Sequence, residues 1–208
     1  MNSIQKNRKI IASIAFLMNL GFIMSFIIIQ VSNPELNWIR YPLSRYYYTS
    51  DGYVLVTGLF FIGFCEILTA QLIYIERVPG SRWIGILVLL MGISAFIIAV
   101  FPMNLFPEKS LHGFIHMAAA AIQFFLFPIS AIGYGFLKGR SNFNYFHIFY
   151  GTASSLILMN ILRILLTLEP SGQNFYGLFQ KIYILLIVIW LAIISMSKIS
   201  QQLQNNQD

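Results

Sequence analysis

The sequence predicts an all-α membrane protein, a polytopic bundle of six transmembrane helices. Three observations lead to this class. First, 58% of the 208 residues are hydrophobic and only 10% are charged, whereas soluble domains have about 45–50% apolar and about 25% charged residues. Second, the apolar residues form six runs, each near the roughly 20 residues that a helix needs to cross a hydrocarbon core. Third, Pro, Gly, Asn or charged residues bound each run.

The six helices are expected at about 10–31, 53–75, 83–102, 112–136, 144–167 and 177–197. They occupy most of the chain, so residues 1–208 are predicted to form a single integral membrane domain. The longest connector, 32–52, is rich in the aromatic residues that collect at membrane interfaces. It is predicted to be a cap on the outer face with a short interfacial helix, and the alternative is a lid over a site.

The orientation follows from the basic residues, because Lys and Arg accumulate in the cytoplasmic loops of membrane proteins. With the N-terminus inside, eight basic residues lie in inner segments: Lys6, Arg8, Lys9, Arg77, Arg82, Lys138, Arg140 and Lys198. Four lie in outer segments: Arg40, Arg45, Lys109 and Lys181. Both termini are therefore predicted to be cytoplasmic. This bias explains the net charge of +6, and no nucleic-acid partner is expected.

Polar residues inside the spans indicate which helices face one another, because such side chains are costly in lipid and usually face the bundle interior. At 100° per residue they form a stripe on three helices. The second helix has Asp51, Cys65, Glu66 and Thr69, the fourth has His112, His116, Gln123, Ser130 and Tyr134, and the fifth has Thr152, Asn160, Arg163 and Thr167. These three helices are therefore expected to turn their stripes toward one another.

Depth along each helix, at 1.5 Å per residue, divides these residues into two tiers. The candidate ligand site is the outer tier: Asp51, His112, His116, Asn160 and Arg163. The inner polar tier comprises Glu66, Gln123 and Thr152. Glu66 and Arg163 differ in depth by about 14 Å, too far for an easy ion pair. Arg163 is thus expected to pair with Asp51 or Glu169, and Glu66 is expected to be protonated or hydrogen-bonded.

A metal site is the alternative for the two outer histidines. His112 and His116 are four residues apart, so both imidazoles share a helix face, and that spacing can hold a metal. Asp51 would be a third ligand, and zinc the metal. Two interior histidines that bond to loop carbonyls would show the same spacing. No cofactor is therefore expected, with zinc as the alternative.

Several short segments resemble a known family. They are Tyr41-Pro42-Leu43-Ser44, Asp51-Gly52, His112-Gly113-Phe114-Ile115-His116 and Gly177-Leu178-Phe179-Gln180-Lys181. They are similar to the pattern of the domain-of-unknown-function 998 family of bacterial and archaeal membrane proteins, although Leu43 departs mildly from it. The resemblance implies a six-helix protein in the plasma membrane of a prokaryote. It implies no activity, so no catalytic residue is assigned.

Three functions remain open at this point. The first is a polar pocket, open to the extracytoplasmic side, that binds or moves a lipid headgroup or a small anionic solute. The second is an intramembrane lipid hydrolase or transferase that uses the histidine pair and Asp51, although His147 lies on the wrong side to be a third ligand. The third is a structural or accessory protein without a ligand. Membrane lipids are the expected partners, and a homo-oligomer is possible because six helices are few for a transporter.

Overall fold

The computed structural model describes residues 3–76, 78–102, 110–137, 142–167 and 175–204. These residues form one short 3₁₀ helix and six long helices. The long helices are α1 Ser3–Ser32, α2 Gly52–Tyr74, α3 Ser81–Val100, α4 Leu111–Leu137, α5 Asn142–Thr167 and α6 Tyr176–Gln204. All six are long and apolar enough to cross a membrane. The predicted all-α bundle with six candidate spans is therefore confirmed.

Two helices extend beyond their predicted ends. α1 begins at Ser3 rather than near residue 10, and α6 continues to Gln204 rather than ending near residue 197. Hydropathy marks where the hydrocarbon core ends, but a helix can continue into water. The extra residues include Lys and Gln, which are good helix formers.

The helices form a closed ring in chain order. Each long helix packs against the next one, and α6 packs against α1 to complete the ring. α2 also contacts α6. Within the core, the amide of Asn19 donates to the Val188 carbonyl at 2.8 Å and so joins α1 to α6. The hydroxyl of Tyr183 donates to the Phe124 carbonyl and joins α6 to α4. These bonds satisfy polar groups that would find no hydrogen-bond partner in lipid.

The segment 33–51 covers one end of the ring, here called the cap end. The predicted short helix in this segment is the 3₁₀ helix Leu43–Tyr48, which packs on α2 and α6. Leu43 and Tyr46 are buried there together with Ile29 of α1 and Leu55 of α2. The cap is therefore packed against the helices and is not a free loop.

The opposite end, here called the termini end, is fastened by Glu76. This residue follows α2, and its carboxylate pairs with Lys198 of α6 and accepts a hydrogen bond from the Tyr134 hydroxyl of α4 at 3.0 Å. Arg8 of α1 donates to the Ile75 carbonyl at 2.9 Å. Thus α1, α4 and α6 are all tied to the end of α2.

The expectation that α5 turns its polar stripe inward is wrong. Thr152, Asn160 and Arg163 are exposed. Two of them are satisfied without a neighbouring helix, because Thr152 donates to the Ile148 carbonyl and Asn160 to the Leu156 carbonyl, at 2.8 and 2.9 Å. The side of α5 that is buried carries His147, Gly151, Ser154, Leu158 and Ile161. These residues recur every three or four positions, as an inward face requires.

Candidate functional site

The start of α6 holds the cap through backbone hydrogen bonds. The Leu178 amide donates to the Ile39 carbonyl at 2.8 Å, and the Gly177 amide donates to the Arg40 carbonyl at 3.3 Å. A Cβ atom at residue 177 would overlap the Tyr41 carbonyl. Only glycine therefore lets the two backbones approach this closely.

Side chains of the next turn of α6 reinforce this contact. The Lys181 ammonium group donates to the carbonyls of Trp38 at 2.7 Å and Tyr41 at 2.6 Å, and it lies 5.4 Å from the centre of the Tyr46 ring. Gln180 Oε1 accepts a hydrogen bond from the Leu43 amide at 2.6 Å. A buried cation thus binds carbonyl dipoles and an aromatic face of the cap.

Replacing Lys181 by methionine is expected to loosen the cap. Hydrogen exchange of the amides between residues 36 and 47 should accelerate about tenfold or more, because a hydrogen bond to a charged group contributes roughly 1.5–3 kcal/mol and about 1.4 kcal/mol corresponds to a factor of ten. Lys198→Met, at the termini end, is the control and should leave these amides unchanged. Equal exchange in wild type and Lys181→Met would show that Lys181 does not hold the cap.

Two tyrosines of the 3₁₀ helix turn inward. The Tyr46 hydroxyl donates to Gln30 Oε1 at 2.9 Å, and the Tyr47 hydroxyl donates to the Ile98 carbonyl near the end of α3. Burial raises the pKa of both phenols above the ordinary value for tyrosine. Both side chains are therefore neutral hydrogen-bond donors that connect the cap to α1 and α3.

A cavity lies directly beneath the cap, inside the ring. Its volume is about 70 Å³, several times the roughly 10–15 Å³ that one water molecule needs. Five of its lining residues are polar and neutral: Ser44, Tyr47, His116, Gln123 and Gln180. The other twelve are apolar: Phe22, Leu43, Leu55, Leu59, Ile62, Ala95, Ile98, Ala120, Phe124, Ile184, Ile187 and Val188. The lining comes from the cap and from α1, α2, α3, α4 and α6, and no described side chain of α5 contributes to it.

His116 is the polar residue of α4 nearest the cap that lines the cavity, and it is buried. Its Nδ1 lies 2.7 Å from the Phe101 carbonyl, and its ring packs edge-on against Tyr47. Because a carbonyl only accepts, Nδ1 is the protonated nitrogen and Nε2 carries the lone pair. Nε2 makes no hydrogen bond within the described part of the chain. The cavity wall therefore offers a hydrogen-bond acceptor at this level.

Gln123 lies two turns further into the bundle, about 10 Å below His116 along α4. Its Nε2 donates to Glu66 Oε1 of α2 at 2.5 Å, and its Oε1 accepts from the Ser94 hydroxyl of α3 at 2.8 Å. Glu66 and Gln123 were expected to share an inner tier, and they are in contact. The amide of Gln123 has a second hydrogen, which makes it a donor at the inner part of the cavity.

The five residues of the predicted outer cluster do not converge. His116 lines the cavity, but His112 is exposed and packs against the Phe101 ring. Asp51 is the residue before α2 and is half-buried there, whereas Arg163 lies on the exposed face of α5. Asn160 and Arg163 lie on the exposed face of α5, and Glu169 falls outside the described residues. The inner tier is likewise divided, because Thr152 is exposed while Glu66 and Gln123 are buried.

The metal alternative needs three ligands that approach one another. Among the described residues, no group of three or more His, Cys, Asp or Glu side chains could hold a metal ion. His112, His116 and Asp51 are thus not arranged as a joint ligand set. A hydrolase that depends on such a set has no support in this geometry.

Three features of the site were not predicted. Tyr47 and Gln180 line the cavity, and Lys181 holds the cap. The sequence identifies Tyr47 only as one of the aromatic residues of the connector 32–52, and Lys181 only as a basic residue of an outer segment. Gln180 and Lys181 do belong to the segment at the start of α6 that carries the family resemblance. The sequence thus marked these two residues but did not indicate what they do.

The comparison with known proteins agrees with this architecture. A family model described as "Protein of unknown function (DUF998)" matches residues 16–197, which is most of the chain. The chain belongs to the DUF998 family. No curated protein and no solved structure matches it. In this DUF998 protein, the segments that carried the resemblance lie at the cap end: Gly177, Leu178 and Gln180 dock the cap, and His116 lines the cavity beneath it.

Proposed function

We propose that this DUF998 protein binds an uncharged, largely apolar, lipid-like molecule in the cavity beneath the cap. One observation carries the proposal: the described lining residues are twelve apolar and five neutral polar ones, with no Lys, Arg, Asp or Glu among them. Sites for small molecules typically have this composition, a mainly hydrophobic wall with a few polar groups that fix orientation.

The charge distribution argues against the anionic solute that the sequence suggested. An anion taken out of water needs a cation or several fixed donors. Lys181, at the cap, directs its ammonium group to the carbonyls of Trp38 and Tyr41, and Arg163 lies on the exposed face of α5. Neither residue lines the cavity. A neutral hydroxyl or carbonyl headgroup matches the lining better than a phosphate or carboxylate.

The polar groups suggest how such a molecule is held. A hydroxyl group of the ligand would donate to His116 Nε2, and the free hydrogen of the Gln123 amide would meet an acceptor deeper in the bundle. The apolar part would pack on residues such as Ile62, Phe124 and Ile187. Each buried methylene group would contribute about 0.8 kcal/mol. The free energy of binding would thus come mainly from burial of the ligand's apolar part, and the headgroup would fix its orientation.

The bias of Lys and Arg toward the termini end supports an orientation with the cap on the extracytoplasmic side of a prokaryotic plasma membrane. The cavity then lies at the level of the outer leaflet. A lipid of that leaflet is the natural source of the ligand, and the packed cap separates the site from the aqueous phase. This arrangement supports binding of lipid more directly than passage of a solute.

Photolabelling with a long-chain alcohol that carries a diazirine tests the proposal. The alcohol is expected to label α4 and α6 of the protein in lipid nanodiscs, and the fatty acid of equal length should label them more weakly. Ala120→Phe fills the cavity and should abolish the labelling. Ala121→Phe, one residue away on the exposed face of α4, should not. Stronger labelling by the fatty acid, or undiminished labelling of Ala120→Phe, would contradict the proposal.

A further inference from the structure

Glu66 is a carboxyl group in the middle of a membrane span. It lies about 21 Å from the first residue of α2 and about 12 Å from the last, and its relative exposure is 0%. Its Oε1 accepts the hydrogen bond from Gln123. Its Oε2 is buried and has no hydrogen-bond partner in the described part of the chain. Such buried orphan atoms are few in native structures and call for an explanation.

Thr69 is the neighbouring polar residue on the same helix. It is three residues further along α2, and its hydroxyl is buried and turned toward the Cys65 thiol. Residues three apart are neighbours on a helix surface. The Thr69 hydroxyl is not within hydrogen-bond distance of Glu66 Oε2, so a carboxylate here would keep one buried oxygen without a donor or a cation. A proton on Glu66 Oε2 removes that charge and leaves a neutral carboxylic acid.

No positive charge compensates this carboxyl group within the described residues. Burial and the Gln123 amide are the influences on it, and no ion pair reaches it. Cys65 is the titratable neighbour on α2. The ionisable groups on the surrounding helices are engaged elsewhere: Arg8 with the Ile75 carbonyl, Arg82 over the Tyr74 ring, His116 with the Phe101 carbonyl, Tyr134 and Lys198 with Glu76, Lys181 with the cap carbonyls and Tyr183 with the Phe124 carbonyl.

We propose that Glu66 is a reversible proton-binding site within the bundle. The proton resides on the carboxyl group at neutral pH and exchanges with water in the cavity that Gln123 lines. Release breaks the O–H bond of the carboxylic acid and transfers the proton to water or hydroxide, leaving a carboxylate that keeps the hydrogen bond from Gln123. Gln123 sets the carboxyl group next to the cavity, because it donates a hydrogen bond to Glu66 Oε1 and itself lines the cavity wall. This proposal concerns the ligand-free protein and stands apart from the lipid-binding proposal.

Infrared difference spectroscopy of the protein in lipid nanodiscs tests this inference. Wild type minus E66Q is expected to show the C=O stretch of a protonated carboxylic acid at neutral pH. The band should give way reversibly to carboxylate bands as the pH is raised. E76Q is the matched control, because Glu76 pairs with Lys198. Its difference spectrum should show only carboxylate bands at neutral pH.

Two results would overturn the proposal. Carboxylate bands from Glu66 at neutral pH would show that it carries no proton. A C=O band that persists at every pH at which the protein stays folded would show a fixed, non-exchanging packing group. E66Q retains a partner for Gln123 and is expected to fold. If it does not, transfer of wild type into D₂O decides the question: a shift of the C=O band shows exchange with water, and an unshifted band contradicts it.

Discussion

Replacing Gly177 by alanine is expected to release the cap and to destabilise the protein by about 1–3 kcal/mol or more, the usual range for overpacking. The added methyl group would overlap the Tyr41 carbonyl, which is backbone and cannot move aside as a side chain can. The single cysteine, Cys65, is fully buried and so reports unfolding. Thermal exposure of its thiol to a fluorescent reagent should occur at a lower temperature in Gly177→Ala than in wild type.

Gly113→Ala is the matched control. Gly113 also lies in the first turn of a helix at the cap end, but a Cβ atom there meets only the Ser110 hydroxyl, at 3.3 Å. Because alanine favours a helix over glycine by roughly 0.5–1 kcal/mol, this variant should be neutral or slightly stabilised. Equal stability of the two variants would mean that the cap does not pack on α6 as described.

Replacing Gln123 by leucine is expected to be the most damaging single change inside the bundle. It removes the hydrogen bond to Glu66 and leaves a buried carboxyl group without its partner, a loss of roughly 1–3 kcal/mol. The single hydrogen of the Ser94 hydroxyl is shared between Gln123 Oε1 and the Met91 carbonyl, and in this variant the Met91 carbonyl remains as its acceptor. The midpoint of thiol exposure at Cys65 should fall accordingly.

A double variant distinguishes two quantities. One is the net stabilisation by the hydrogen bond between Glu66 and Gln123, and the other is the destabilisation caused by leaving Glu66 buried without its partner. Hydrogen bonds between membrane helices average only about 0.6 kcal/mol, so Glu66→Leu combined with Gln123→Leu should recover much of the stability that Gln123→Leu loses. Asn160→Leu, on the exposed face of α5, should have little effect. A double variant less stable than Gln123→Leu alone would show that Glu66 has a further partner that stabilises the bundle.

The sequence predicted the six helices, and it assigned Glu66 and Gln123 to one inner tier, for sound physical reasons. Each span must hold enough apolar residues to cross the lipid, and polar side chains at helical spacing usually find one another inside a bundle. The same rule failed for α5. Thr152 and Asn160 donate to carbonyls of their own helix, so they do not need the interior, while Gly151 and Ser154 take the inward face because they are small.

The site itself could not be predicted from the spans, because it depends on a connector. The positions of Tyr47 and Ser44 over the cavity follow from the docking of the cap on α6, a contact between segments about 140 residues apart in the chain. Helical periodicity carries no information about such a contact. The short segments that resemble DUF998 marked the right end of the bundle, but their physical role became evident only with the cap in place.

Native mass spectrometry of the protein released from its own membrane tests the central claim most directly. Wild type is expected to retain a bound neutral lipid, and Ala120→Phe, which fills the cavity, is expected to lose it while remaining folded. Wild type that carries no neutral lipid, or a neutral lipid that remains equally bound to Ala120→Phe, would contradict binding in the cavity beneath the cap.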